Sequence, residues 1–375
     1  MGKQKAAIWI GIFLMVIVSP VFAWYFLGPY IDSENYEKRD KGPRPVFTLQ
    51  NYEAFPREWE AYYNDNIPFR NQLIRLNNSI DYYLFGQSSS GQVAIGKDGW
   101  LFYCSDGDGN PLEQSLGYWH FTDGQLAAIA GNLMSSKRAL ESLGIEFVLF
   151  IAPNKESVYQ EKLPDCYKAK NPVTSTDQLV QYLKENTDIR VVYPKQALLD
   201  AKQKYPDLVF YHKLDSHWNY AGGYVGANSL ADELEVELPP LGEVTMTARG
   251  SLEKDLSDML NVPIKDSGTD YDITGIQEWK RETRKWDFSS EFIYHTPGAD
   301  PRRLFVCRDS YGTAVAPHLS TQFEDSIWVH CNQFNQQQVL GYGADIFVLE
   351  KVERHLNSLE GFCLSFSDDS GKSNR

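Results

Sequence analysis

The sequence predicts an α/β protein: a mostly parallel, open sheet flanked by helices, preceded by one N-terminal transmembrane helix. Three observations carry this. Ile145 to Ala152 (IEFVLFIA) is a nearly continuous apolar run, the pattern of a strand covered on both faces. Helical and strand patterns then alternate along the chain, which favours parallel strands joined by crossover helices. Ala6 to Leu27 carries no charge and is preceded by Lys3 and Lys5. The 375 residues leave room for about two domains. A hydrophobic content of 42%, with 14% aromatics, supplies a packed core and excludes a disordered chain. Fifty acidic against 36 basic residues give −14, the wrong sign for meeting nucleic-acid phosphates.

Residues 1–28 read as a signal-anchor. A 22-residue helix at roughly 1.5 Å per residue is about 33 Å long, against a hydrocarbon core of roughly 30 Å. Val21-Phe22-Ala23 offers the alternative of a cleaved signal peptide, but the apolar run continues through Trp24-Tyr25-Phe26-Leu27, past that site. Lys38, Arg39, Lys41 and Arg44 on the far side leave the orientation unfixed by charge alone.

Residues 29–90 read as a polar, proline-containing stalk and a helical extension. Leu73, Leu76, Ile80 and Leu84 recur there at helical spacing before Gly86. Gln92 to Tyr103 predicts two short strands around Lys97-Asp98-Gly99. The main domain is expected over 91–360. Thr122 and Gln125 have capping-box spacing ahead of a helix that ends before Gly144. Helices follow at 175–186 and 196–204. Strands follow at 189–193, 208–211, 304–307, 326–330 and 345–349. Residues 240–300 break the rhythm and read as an insertion or small lobe, and 361–375 as a disordered tail. Cys104, Cys166, Cys307, Cys331 and Cys363 show no metal-ligand spacing. One or two disulfides are compatible with them, in no pairing that sequence defines.

Two segments fall just after apolar strands: Asp215-Ser216-His217-Trp218-Asn219 and Arg308-Asp309-Ser310-Tyr311-Gly312. Ligands of parallel sheets bind outside the carboxyl edge, so segments far apart in sequence can meet there. A Ser hydroxyl needs a base to become a nucleophile, and the base needs an acceptor to fix its tautomer. Ser310 as nucleophile, His217 as general acid/base and Asp215 as orienter fill those roles. Residues i and i+2 of extended backbone share a side, which lets Asp215 reach His217. Gly312 and the amides around Ser310 are candidates to approach an oxyanion. Two other readings stay open: a hydrogen-bonded turn, or Asp215 and His217 as metal ligands with no evident third. Asp309 reads as a turn acceptor and Trp218 as packing beneath the site.

These residues resemble the alginate O-acetyltransferase family of the AlgX/AlgJ type. Asp215-Ser216-His217-Trp218-Asn219 with Gly222 or Gly223 resembles its D-x-H-W motif, and Arg308-Asp309-Ser310-Tyr311 its nucleophile segment. Further matches are Asn64-Asp65-Asn66 with Phe69-Arg70, Ile95 to Phe102, and Ala152-Pro153-Asn154-Lys155 with Tyr159 and Leu163-Pro164. Looser ones are Asp255 to Leu260 and Val352-Glu353-Arg354. The resemblance implies an SGNH hydrolase-like catalytic domain outside the cytoplasm, held at the cell membrane by a single pass. It implies transfer of acetyl groups to hydroxyls of a cell-surface polysaccharide through an acetyl-Ser310, without metal or organic cofactor. An acetyl donor and a membrane-bound O-acyltransferase partner are implied as well. Asn154 is a candidate second oxyanion donor, and Tyr311, Arg308 and Trp218 are candidate substrate-site residues. A polysaccharide acetylesterase with the same three residues, and a non-catalytic component of polysaccharide assembly, are the alternatives.

Overall fold

The computed structural model describes residues 3–27, 30, 42–66, 69–264, 268–284 and 291–366. They fall into two units, 1–90 with 257–264, and 91–256 with 265–375. In the first unit, helices span Lys3–Leu27, Phe55–Asn66 and Arg70–Ile80. A π-helical turn, Asp81–Phe85, extends the last of these and is closed by Gly86 at φ 61. A side chain rarely adopts that φ, so the expected stop falls on the residue that tolerates it best. The expected stripe of Leu73, Leu76, Ile80 and Leu84 is exposed. Arg75 Nε donates to Asn261 Oδ1 at 3.0 Å and Asn78 Nδ2 to Leu260 O at 2.7 Å, which ties 257–264 to this helix.

The transmembrane helix expected over 1–28 is not borne out. Among the described residues no helix is long and apolar enough to cross a membrane. Most of the expected stalk (31–41) and of the expected disordered tail (367–375) lies outside the described residues.

The second unit begins with the hairpin of β1 (Val93–Ile95) and β2 (Leu101–Tyr103). Asp98 at φ 54 and Gly99 at φ 72 make its turn, the backbone that matches strand twist in tight hairpins. The capping box forms as expected at Thr122, opening the helix Asp123–Glu141. The strands β3 (Glu146–Ala152) and β4 (Arg190–Val192) come next. β5 (Thr245–Ser251) and β6 (Gly268–Thr274) pair with each other. β7 (Lys280–Arg284), β8 (Glu291–His295), β9 (Leu304–Arg308), β10 (Asp325–His330) and β11 (Ile346–Val352) complete the set.

The seven-stranded sheet runs β4-β3-β11-β9-β10-β8-β7. β4 through β10 in that order are parallel, and β8 and β7 are antiparallel additions at one edge. Phe147, Leu149, Ile151, Phe305, Phe347 and Leu349 pack on one face against the helices 123–141 and 175–186. Val148, Phe150, Val306, Trp328 and Val348 pack on the other, against 220–233 and 312–319. Burial on both faces is what the unbroken apolar runs require.

Three expectations need correction. Residues 208–211 are not a strand of the sheet: Tyr211 makes only an isolated bridge to Trp218. The side chains of Phe210 and Tyr211 are buried, so the run is apolar for packing rather than for a ladder. Its backbone is satisfied by side chains and a turn. Val209 N–H donates to Tyr271 OH and Phe210 N–H to Tyr159 OH, both at 3.0 Å, and His212 N–H donates to His217 O at 3.1 Å. Residues 240–300 are not simply a lobe, because β7 and β8 extend the main sheet. All five cysteines are unbridged.

Candidate active site

The C-terminal end of β9 delivers Arg308, and the chain turns sharply through 309–311 into the helix Gly312–Leu319. Asp309 builds this turn as the sequence suggests. Its Oδ1 accepts from Tyr311 N–H at 2.9 Å and its Oδ2 from Val352 N–H at 2.7 Å, while its own N–H donates to Glu350 Oε2 at 2.6 Å. The turn leaves no room for a side chain at Gly312. A Cβ there would stand 2.7 Å from Arg308 Cβ and 3.2 Å from Glu350 Oε2. Burial keeps the Glu350 carboxyl well above its ordinary range, with the Asp309 charge adding to the effect.

The second segment forms a tight loop ahead of the helix Tyr220–Glu233, whose N-cap is Asn219. Asp215 Oδ1 accepts from His217 Nδ1 at 2.7 Å and from His217 N–H at 2.9 Å, and Asp215 Oδ2 accepts from Asp255 N–H at 2.8 Å. On the other side of the imidazole, Nε2 lies 2.7 Å from Ser310 Oγ. The structure therefore brings Asp215, His217 and Ser310 into one hydrogen-bonded line across 93 residues of sequence. Burial works against the Asp215 charge. The His217 charge and hydrogen bond, with two backbone donors, outweigh it and hold the carboxyl far below the ordinary range. Burial likewise pulls the His217 pKa down, but Asp215 and then Asp255 carry it above the usual histidine value.

Asp255 is the third carboxyl or imidazole group of this cluster, with Asp215 and His217. Its oxygens accept from Ser216 N–H at 2.7 Å and Ser216 Oγ at 2.6 Å. Burial, then the Asp215 charge, raises its pKa. Every carboxylate oxygen of the pair thus already accepts a hydrogen bond, so the cluster is organised as a network around His217. Sequence reading missed this role of Asp255, which lies among the looser family matches.

The other expected site residues fall into distinct places. Tyr311 links the two loops: its OH donates to Ser216 O at 2.8 Å and its carbonyl accepts from Trp218 Nε1 at 2.9 Å. Trp218 is buried and packs between Phe150, Tyr211 and Tyr311. Arg308 is buried, donating to Asp309 O at 3.0 Å and Thr313 Oγ1 at 3.2 Å over the Phe292 ring. Asn154 is also buried. Its amide donates to Gln114 Oε1 at 3.2 Å and its Oδ1 accepts from Arg354 Nη1 at 3.2 Å, so it belongs to the wall behind Tyr311. Arg354 completes that wall, reaching Tyr311 OH at 3.3 Å. Lys155 and Arg354 follow the carboxyl ends of β3 and β11, the positional signal that could have singled them out.

A cavity of about 300 Å³ opens beside the Ser310 hydroxyl, lined by His212, His217, Tyr220, Glu253, Asp270 and Thr313 among others. Fold and site together define an α/β domain with a mostly parallel sheet that carries a Ser–His–Asp constellation at the carboxyl edge of its strands. Residues 93–265 match the model of the family described as SGNH hydrolase-like domain, acetyltransferase AlgX. The probable alginate O-acetylase AlgJ of Pseudomonas aeruginosa is 26% identical over 176 residues, 47% of this chain and 41% of that protein. These matches bear out the chain's resemblance to the alginate O-acetyltransferase family. The chain spans less than half the length of the curated relatives it matches. The structure of Bacillus cereus PatB1 with a sulfonyl adduct superposes at a TM-score of 0.53 and 14% identity, covering 72% of this chain and 100% of that one. A DHHW family protein from Eubacterium siraeum gives 0.52 at 16% identity, covering 73% and 100%. Both share the fold.

Proposed function

We propose that this chain is an exported O-acetyltransferase that moves acetyl groups onto hydroxyls of a cell-surface polysaccharide. The observation that carries the reading is the 2.7 Å contact between His217 Nε2 and Ser310 Oγ, backed by Asp215 on Nδ1. His217 takes the Ser310 proton as Oγ attacks the acetyl carbonyl, then returns it to the donor's leaving group, giving acetyl-Ser310. A sugar hydroxyl, deprotonated by the same His217, attacks that ester, and Ser310 departs with the proton. Tyr311 N–H is committed to Asp309, so the N–H groups of Ser310 and Gly312 are the assigned oxyanion donors, each worth a few kcal/mol. The relatives' names support acetylation as the chemistry.

The acceptor enters beside Glu253 and Asp270, of which Asp270 is paired with Arg249 at 2.9 Å. A neutral sugar suits that wall better than a polyuronate. The family resemblance supports a membrane-bound O-acyltransferase partner that passes acetyl groups outward.

The test gives the purified chain a chromogenic acetyl ester with neutral or uronate oligosaccharides, and follows acetyl groups on sugar by mass spectrometry. Acetylated sugar, lost in Ser310→Ala and His217→Ala, is expected. Acetate release alone, still dependent on Ser310, would make the protein an esterase. Turnover unchanged in both variants would sink the assignment.

A further inference from the structure

Lys155 is a fully buried lysine that the reaction above does not use. It opens the four-residue helix Lys155–Val158 directly after β3, and its side chain is 0% exposed. Among the described residues its Nζ has no carboxylate within ion-pair distance. It donates instead to three carbonyls of the loop carrying the base: Asp215 O at 2.6 Å, His212 O at 3.2 Å and Lys213 O at 3.5 Å. The Trp100 and Phe102 ring centroids lie 5.8 and 5.3 Å from the same Nζ.

Burying an ammonium costs several kcal/mol unless its donors are used. A buried methionine would fill the same volume without that cost. Three convergent carbonyls explain the charge. Their dipoles repel one another across a tight turn and need a donor between them, and an ammonium has one N–H for each. The turn they belong to is the one whose next residues aim His217 at Ser310.

We propose that Lys155 is a positioning residue of the Asp215–His217–Ser310 site: its ammonium gathers the carbonyls of His212, Lys213 and Asp215 and thereby sets where the imidazole stands. The proposal rests on the catalytic reading of that site. It also makes the clamp sensitive to pH. Burial lowers the Lys155 pKa to about 8, against the pull of Glu156, Asp255 and Asp215. His212, itself buried beside the loop, is held below its ordinary pKa chiefly by burial, and Lys155 adds to that effect. Above that pH the neutral amine has two N–H groups for three carbonyls, and its lone pair faces one of them. The sign separates positioning from stability. The unfolded lysine binds its proton up to about 10.4, so between the two values this group makes the fold more stable as pH rises. Loss of activity in that window is therefore loss of alignment rather than unfolding.

The experiment measures kcat and KM for the acetyl ester from pH 6 to 10 on the full chain, its Lys155→Met and its Lys155→Arg. In parallel, the downfield proton resonance of His217 Nδ1 is followed in the absence of substrate. Wild type should lose kcat above about pH 8 with little change in KM or in the folded circular-dichroism signal. Lys155→Met should lower kcat by about 100-fold, the scale of an ångström of misplacement. Lys155→Arg, whose charge persists, should move the alkaline limb upward. The resonance should broaden or shift over the same pH range as kcat. An unchanged limb in Lys155→Arg, or wild-type kcat in a folded Lys155→Met, would overturn the proposal. If neither substituted chain folds, a His217 resonance constant from pH 7 to 9.5 in wild type would overturn it. That resonance does not depend on turnover, so a failure of the clamp is distinguishable from a failure of the catalytic reading.

Discussion

Asp215 and His217 stabilise each other's charged forms, and the same interaction sets two pH boundaries. Asp215 has a depressed pKa, so its contribution to stability is present above the ordinary carboxyl value and is lost as pH falls through the folded one. His217 has a raised pKa, so the contribution is full below the ordinary histidine value and disappears as pH rises through the folded one. Catalysis needs the neutral imidazole. The acid limb of kcat/KM should therefore lie above the ordinary histidine pKa of about 6.5. Asp215→Asn should move that limb down and cut kcat by about 10³- to 10⁴-fold, because the amide no longer selects the tautomer that faces Ser310. A pH–rate profile of the variant checks both numbers, and a limb left in place would remove Asp215 from its assigned role.

At the scale of elements, the site depends on how two helices cross. One follows His217 and the other follows Ser310, and they meet where Gly223 faces Ala314. A Cβ at Gly223 would stand 2.3 Å from Ala314 O and 2.7 Å from Ala314 Cβ. That separation is impossible, so Gly223→Ala must push the helices apart, at a cost of about 1–3 kcal/mol. The same displacement lengthens the His217–Ser310 contact. Activity should fall further than the melting temperature suggests, and thermal scans beside ester turnover measure the two.

The sequence made the Ser310 turn readable because β9 is a true sheet strand with its nucleophile at the carboxyl end. It gave a misleading reason for the other half. The apolar run 208–211 resembles a strand, yet Phe210 and Tyr211 are apolar because they fill the core under Trp218. The D-x-H spacing survived that error because the bend at 215–217 brings Asp215 Oδ1 to both the backbone N–H and Nδ1 of His217, which extended backbone is not needed to do. The roles of Asp255 and Lys155 were not legible: Lys155 shows only its place after β3 and Asp255 has no spacing partner in sequence, and only the folded loop brings their charges to Asp215.

The whole molecule holds its nucleophile and its base by different means. Ser310 follows a strand paired on both sides, by β11 and β10. The segment that leads into the His217 loop lies outside the sheet, and two of its backbone N–H groups, at Val209 and Phe210, are held only by phenols, Tyr271 OH and Tyr159 OH, each at 3.0 Å. Amide hydrogen exchange should therefore divide the site. Protons in β9 and β11 should exchange only with global unfolding, while those of Val209 and Phe210 exchange through local opening. Tyr159→Phe removes one tether and should speed exchange at Phe210 by about 5- to 10-fold, the worth of one hydrogen bond, without altering the sheet; equal acceleration in β9 would refute this. Upon heating, such a protein would fall silent before it melts, its scaffold outlasting its chemistry.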